Sequence, residues 1–175
     1  MKNGFCASVR AHSRRSTTPP GFTLVEMIVV IVLMAILLAL ALPSFNNLIE
    51  KYRVESMATA LMASVSHARS EAARRGLTVT IRQRAECSGA DWSCGWETVV
   101  GSGAGFEILR RQDPDTRVAV EKSAVGPMSF DPMGNSAGVA GFCFHPAGNA
   151  SPPNVALVRV ALGGRVQLLK GSASC

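Results

Sequence analysis

Glu26 is the only charge in an apolar run from Phe22 to Leu42, and it sits four residues beyond the Phe22 that opens the run. At 1.5 Å per residue, those 21 positions form a helix of roughly 30 Å, enough to cross one bilayer core. A charge inside such a segment costs about 2.5–3.5 kcal/mol at the bilayer centre and less near an interface, so Glu26 asks for a functional explanation. Upstream lie Lys2, Arg10, Arg14 and Arg15 with no acidic residue, which marks the flank before Phe22 as cytoplasmic. The chain is thus expected to hold a single membrane-length helix near its N-terminus.

The basic flank also corrects the charge. The whole chain carries 18 Lys+Arg against 12 Asp+Glu. Without residues 1–21 the balance is 14 against 12, so the basic character owes much to the flank and argues poorly for nucleic-acid binding. The five cysteines divide the same way. Cys6 precedes the apolar run, leaving Cys87, Cys94, Cys143 and Cys175, an even set that suggests two disulfides in an oxidising compartment. Four cysteines allow three connectivities. The short Cys87–Cys94 separation, in a loop rich in Gly, Ser and Asp, favours that pair and leaves Cys143 for Cys175. Zinc is the rival reading, but tight C-x-x-C pairs and a histidine couple are missing.

Along the chain, Ser16-Thr17-Thr18-Pro19-Pro20-Gly21 is full of helix breakers and presents an extended peptide. From Phe22 the pattern is helical, with Pro43 expected to kink it. Val54, Met57, Leu61, Val65, Ala68 and Ala72 then recur at three- and four-residue steps. Glu50, Lys51, Arg53, Glu55, Arg69, Glu71, Arg74 and Arg75 supply the polar side, and Gly76 is a stop. After it come short β-type runs at 77–81, 96–100, 106–110, 117–121, 128–130, 141–144, 155–162 and 165–169, separated by turns such as Asp131-Pro132-Met133-Gly134-Asn135. Seven or eight strands behind one helix predict an α+β protein, a long transmembrane and amphipathic helix packed on an antiparallel β-sheet head. The expected divisions are 1–21, a leader; 22–42, the transmembrane half of the helix; 43–76, its amphipathic half; and 77–175, the β-rich head.

Gly21-Phe22-Thr23-Leu24-Val25-Glu26 with its apolar run resembles the processing site of type IV prepilins and type II secretion pseudopilins. The head is similar to the GspH/FimT family in Ala68-Arg69-Ser70-Glu71-Ala72, in Val79-Thr80-Ile81, and in the cysteine loop with Asp91-Trp92 and Gly95-Trp96. The similarity continues through Phe130-Asp131-Pro132-Met133-Gly134, Phe142-Cys143-Phe144 and Gly164-Arg165-Val166. The resemblance implies that prepilin peptidase cuts after Gly21 and methylates Phe22. It also implies that Glu26 of one subunit pairs with the α-amino group of a neighbour's Phe22, fixing axial register. The partners implied are the peptidase, the membrane, other minor pilins or pseudopilins, and the major pilin through the N-terminal helix. The place implied is the bacterial inner membrane with the head in the periplasm, then a pilus or pseudopilus. The expected role is a non-catalytic subunit that primes or caps a type IV pilus, with a type II secretion pseudopilin as the alternative.

A DNA-uptake minor pilin is a third reading. It rests on Arg159, Arg165 and Lys170, although Gly164-Arg165-Val166-Gln167 holds one of the two tail arginines of DNA-binding relatives and alternating strand faces need not bring Arg159 to Arg165. A soluble secreted domain is a fourth, through the small-x-small site Ala39-Leu40-Ala41, but the apolar run is too long for an ordinary signal peptide and contains Glu26. No cofactor or catalytic constellation emerges. His12 lies in the leader, His67 on the helix and His145 before Pro146. Gly101-Ser102-Gly103-Ala104-Gly105 lacks the lysine that holds phosphate. Trp92 and Trp96, which bracket Cys94, read as core aromatics.

Overall fold

The computed structural model describes residues 21–101, 105–148 and 154–171, and only the backbone of residues 41–44. The chain forms two compact units, Met1–Leu40 and Ala41–Cys175. Helix α1, Leu24–Arg75, begins in the first unit and ends in the second, its backbone remaining helical through Pro43. In the first unit its apolar side chains are all exposed. No single uninterrupted helix among the described residues is long and apolar enough to cross a membrane. The segment Leu24–Leu40 together with Phe45–Arg75 reaches that threshold by length and composition.

The second unit holds eight strands: β1 (Val79–Gln83), β2 (Trp96–Val100), β3 (Glu107–Gln112), β4 (Val118–Lys122), β5 (Met128–Phe130), β6 (Ala140–Pro146), β7 (Ala156–Val160) and β8 (Val166–Lys170). Each falls within two or three residues of a run of alternating or β-branched residues in the sequence. They do not form one sheet. Two four-stranded antiparallel sheets appear, ordered β3-β2-β1-β5 and β4-β6-β7-β8.

One core joins the sheets to the helix. Val54, Met57, Ala58, Leu61, Val65, Ala68 and Ala72 recur at i, i+3, i+4 and i+7, so they share one face of α1, and all are buried. Against that face lie Val79, Ile81, Trp96 and Phe130 of the first sheet, and Val120, Phe142, Phe144 and Val158 of the second. The tryptophans are core residues. Trp92 meets Phe142 edge-on at 5.0 Å between ring centroids and Trp96 meets Phe144 at 6.5 Å. The indole N–H of Trp96 donates to Ser64 Oγ (3.0 Å), which explains a buried serine on the apolar helix face.

The β1–β2 connection carries the cysteine loop across to the other sheet. Cys87 and Cys94 are joined by a disulfide. Between them, Trp92 N–H donates to Val120 O (2.7 Å) and Lys122 N–H to Ala90 O (2.8 Å), so the loop covers the open edge of β4. A covered edge cannot recruit a foreign strand, and the cross-link holds the cover in shape. Cys143 is also disulfide-bonded, and Cys175, its expected partner, lies outside the described residues.

Candidate functional site

The processing residues open the first unit. Gly21, Phe22 and Thr23 precede the helix in irregular, exposed backbone, and a side chain added at Gly21 would meet nothing within 4 Å. The chain's own fold therefore places no demand for glycine there. Thr23 is the N-cap, its Oγ1 accepting the N–H of Glu26 (3.2 Å) while its carbonyl accepts that of Met27 (3.2 Å). Glu26 thus stands three residues after a capping threonine, the Thr-x-x-Glu spacing of a capping box. The sequence signal for this was present in Thr23-Leu24-Val25-Glu26. It gives Glu26 a local position at the helix start in addition to its implied pairing.

At the other end of α1, three segments that resemble the family's head meet at one side chain. Arg69 donates through Nε to Gly134 O (2.9 Å) and through Nη2 to Gly163 O (3.4 Å). The first carbonyl belongs to the β5–β6 turn and the second to the β7–β8 turn, so one arginine holds both turns to the helix. Asp131 shapes the first turn by accepting the N–H groups of Met133 (2.9 Å) and Asn135 (2.8 Å). Those bonds, the one from Asn135 foremost, hold its carboxyl below the usual range. Gly164 has φ +69° and approaches Arg69 too closely for any side chain.

The last helical turn carries an ion-pair network. Glu71 accepts from Arg74 (2.7 Å) and Arg75 (2.7 Å), and Arg75 reaches on to Glu107 of β3 (2.7 Å). The hydrogen bonds from Arg74, then Arg75, bring the Glu71 carboxyl from 4.5 down to about 2. Its folded pKa is depressed. Its contribution to stability is therefore complete above the ordinary carboxylate value and is lost as pH falls toward about 2. Denaturant midpoints measured across that window should fall with pH, and Glu71→Gln should flatten the slope.

Arg159, Arg165 and Lys170 do not make one patch. Arg159 pairs with Gln167 in register, and Ala161 N–H donates to Arg165 O (2.9 Å), so Arg159 and Arg165 share the outer face of the β7–β8 hairpin. Lys170 pairs with the core residue Ala156 and lies on the helix side, where its ammonium holds Glu55 (2.7 Å). The expected basic cluster is corrected to two exposed arginines and a lysine already neutralised by the helix. Among the described residues no group of three or more His, Cys, Asp or Glu side chains is placed to hold a metal ion.

An N-terminal helix whose later half packs on an antiparallel β head defines a pilin-like subunit. Residues 57–164 match the family described as type II transport protein GspH, and residues 20–42 match the prokaryotic N-terminal methylation motif. The chain belongs to the GspH family and is a minor pilin or pseudopilin bearing a prepilin methylation motif. Among solved structures it is similar to the type IV minor pilin FimU of Pseudomonas aeruginosa in two crystal forms. One is 25% identical with a TM-score of 0.57, covering 69% of this chain and 96% of that one. The other is 22% identical with a TM-score of 0.60, covering 71% and 95%. The minor pseudopilin EpsH of the Vibrio cholerae type 2 secretion system shares the fold at 12% identity and a TM-score of 0.53, covering 67% and 96%. No curated protein sequence gives a significant match. None of these likenesses supports DNA binding.

Proposed function

We propose that the chain is a non-catalytic minor subunit of a type IV pilus, anchored in the bacterial inner membrane with its head in the periplasm until assembly. Prepilin peptidase cuts between Gly21 and Phe22 and methylates the new amino end. The helix then joins other minor pilins and the major pilin, and the head helps prime or cap the filament. The observation that carries this reading is register. Gly21, Phe22 and Glu26 fall together at the start of a helix whose apolar side chains have no cover within their own unit, inside the stretch matched by the methylation motif. Among the described residues nothing at Gly21 calls for a missing side chain, which supports a peptidase pocket as the reason for glycine.

The pilus is favoured over secretion because FimU is 25% identical over a similar share of the chain, against 12% for EpsH. The secretion reading keeps one observation of its own, the type II transport description of the matched family. Intact-mass analysis of the protein extracted from its native membrane tests the processing step. A chain starting at Phe22 and heavier by one methyl group is expected; an uncut chain, or one starting at Leu42, would overturn it. Deleting the gene and scoring surface pili beside protein secretion tests the choice of machine, with loss of pili and intact secretion expected.

A further inference from the structure

The last residue of β4 is a lysine on the core side of its sheet. Lys122 is only 7% exposed, its stem packed where the ammonium lies 5.7 Å from the Trp92 ring centroid and 6.0 Å from that of Phe142. Its ammonium donates to Gly126 O (2.7 Å) and more weakly to Pro127 O (3.4 Å). Lysine has three N–H donors, so one is left over. Among the described residues no carboxylate forms an ion pair with it, although Arg53, Arg74, Arg75, Arg82, Arg84, Arg111 and Lys170 all have one. Lys51, Arg69, Arg110, Arg117, Arg159 and Arg165 also lack a carboxylate among the described residues, but Lys122 is the one buried cation there, and a buried charge is normally paired.

A cavity is present. Lys122 lines a pocket of about 210 Å³ together with Ser129, Ala137, Gly138, Val139 and Ala140, between β5 and the turn that leads into β6. Met128 and Pro127 add to its wall, its one hydroxyl, that of Ser129, is shared with Thr80 (2.9 Å), and Val139 at its side is exposed. That volume has room for a carboxymethyl or carboxyethyl group. We propose that this pocket is a carboxylate acceptor, in which Lys122 takes an aspartate or glutamate side chain from a neighbouring subunit. Burial pushes the Lys122 amine below its ordinary range.

Two arms test this on the full-length protein. In the first, acetate is titrated into the detergent-solubilised chain at constant ionic strength, with chloride as control, and tryptophan emission is followed, since Trp92 stands beside the ammonium. A saturable change specific to acetate is expected. Lys122→Met should abolish it. Gly138→Leu, which adds bulk at a lining position where a β carbon meets no atom within 4 Å, should weaken it with the amine untouched. In the second arm, assembled filaments are treated with a carbodiimide, which joins a lysine to a carboxylate in contact with it, and the linked peptides are sequenced. Lys170 with Glu55 is the internal positive control. A Lys122 link to an acidic residue of another polypeptide supports the neighbouring subunit as source. An acetate response with no such link overturns that source and assigns the pocket to a small free carboxylate. No acetate response, with Lys122 unlinked while Lys170 is linked, overturns the acceptor site. The second arm rests on the pilus reading; the first does not, so the two failures are distinguishable.

Discussion

Gly164→Val should destabilise the head by about 3–5 kcal/mol, a large share of the 5–15 kcal/mol typical of a folded domain. Two terms combine. A β carbon at this position would lie 2.5 Å from Arg69 Nε and 2.5 Å from Gly134 O, so the Arg69–Gly134 bond must break. Loss of a hydrogen bond to a charged donor costs about 1.5–3 kcal/mol. The φ of +69° adds about 1–2 kcal/mol for a side chain in the left-handed region, more for a β-branched one. The neighbouring glycine supplies the control. Gly163 has ordinary φ and open space where its β carbon would stand, so Gly163→Ala should change stability little. Urea midpoints followed by tryptophan emission would report both. Equal midpoints for the two variants would show that Arg69 does not lock the turns. Arg69→Met, which removes the donors and keeps much of the stem, should fall between them.

This junction shows what the sequence made legible. The strands were readable because β-branched residues alternate between turn residues, and the helix face because apolar residues recur every three or four positions. Both are local signals. The pairing of strands is not local. Nothing in Met128–Phe130 says that it adds to β1, 47 to 51 residues earlier, and closes a separate sheet from β4. Periodicity puts Arg69 on the polar side of the helix, yet its partners are carbonyls 65 and 94 residues away. Backbone carbonyls carry no sequence signature, so an arginine that clamps turns looks like one that faces water. Lys122 was illegible for a related reason. It ends a strand at a position where lysine is ordinary, and only the register of β4 shows that it points into the core. Lys170 reads as a basic tail residue until the Ala156 pairing turns it toward Glu55.

Glu26→Gln should abolish incorporation into filaments while leaving the subunit folded and processed. Two accounts of this residue make different demands. If Glu26 serves only the start of α1, glutamine is nearly as good, because a capping box accepts Glu or Gln at that position and the backbone bond from Glu26 N–H to Thr23 Oγ1 does not involve the carboxylate. If it pairs with a neighbour's charged amino end, glutamine removes the charge that makes the contact. The attraction is strongest where lipid and packed helices lower the dielectric, and a mis-staggered neighbour leaves a buried ion unpaired. Thr23→Ala completes the separation. It removes the cap, costing about 0.5–2 kcal/mol at the helix end, and keeps the carboxylate. Sheared-filament yield, with the membrane pool measured alongside, distinguishes the two. The expected pattern is near-normal incorporation for Thr23→Ala and severe loss for Glu26→Gln. The reverse pattern would make Glu26 a capping residue, because what then matters is the start of the helix rather than the charge it carries.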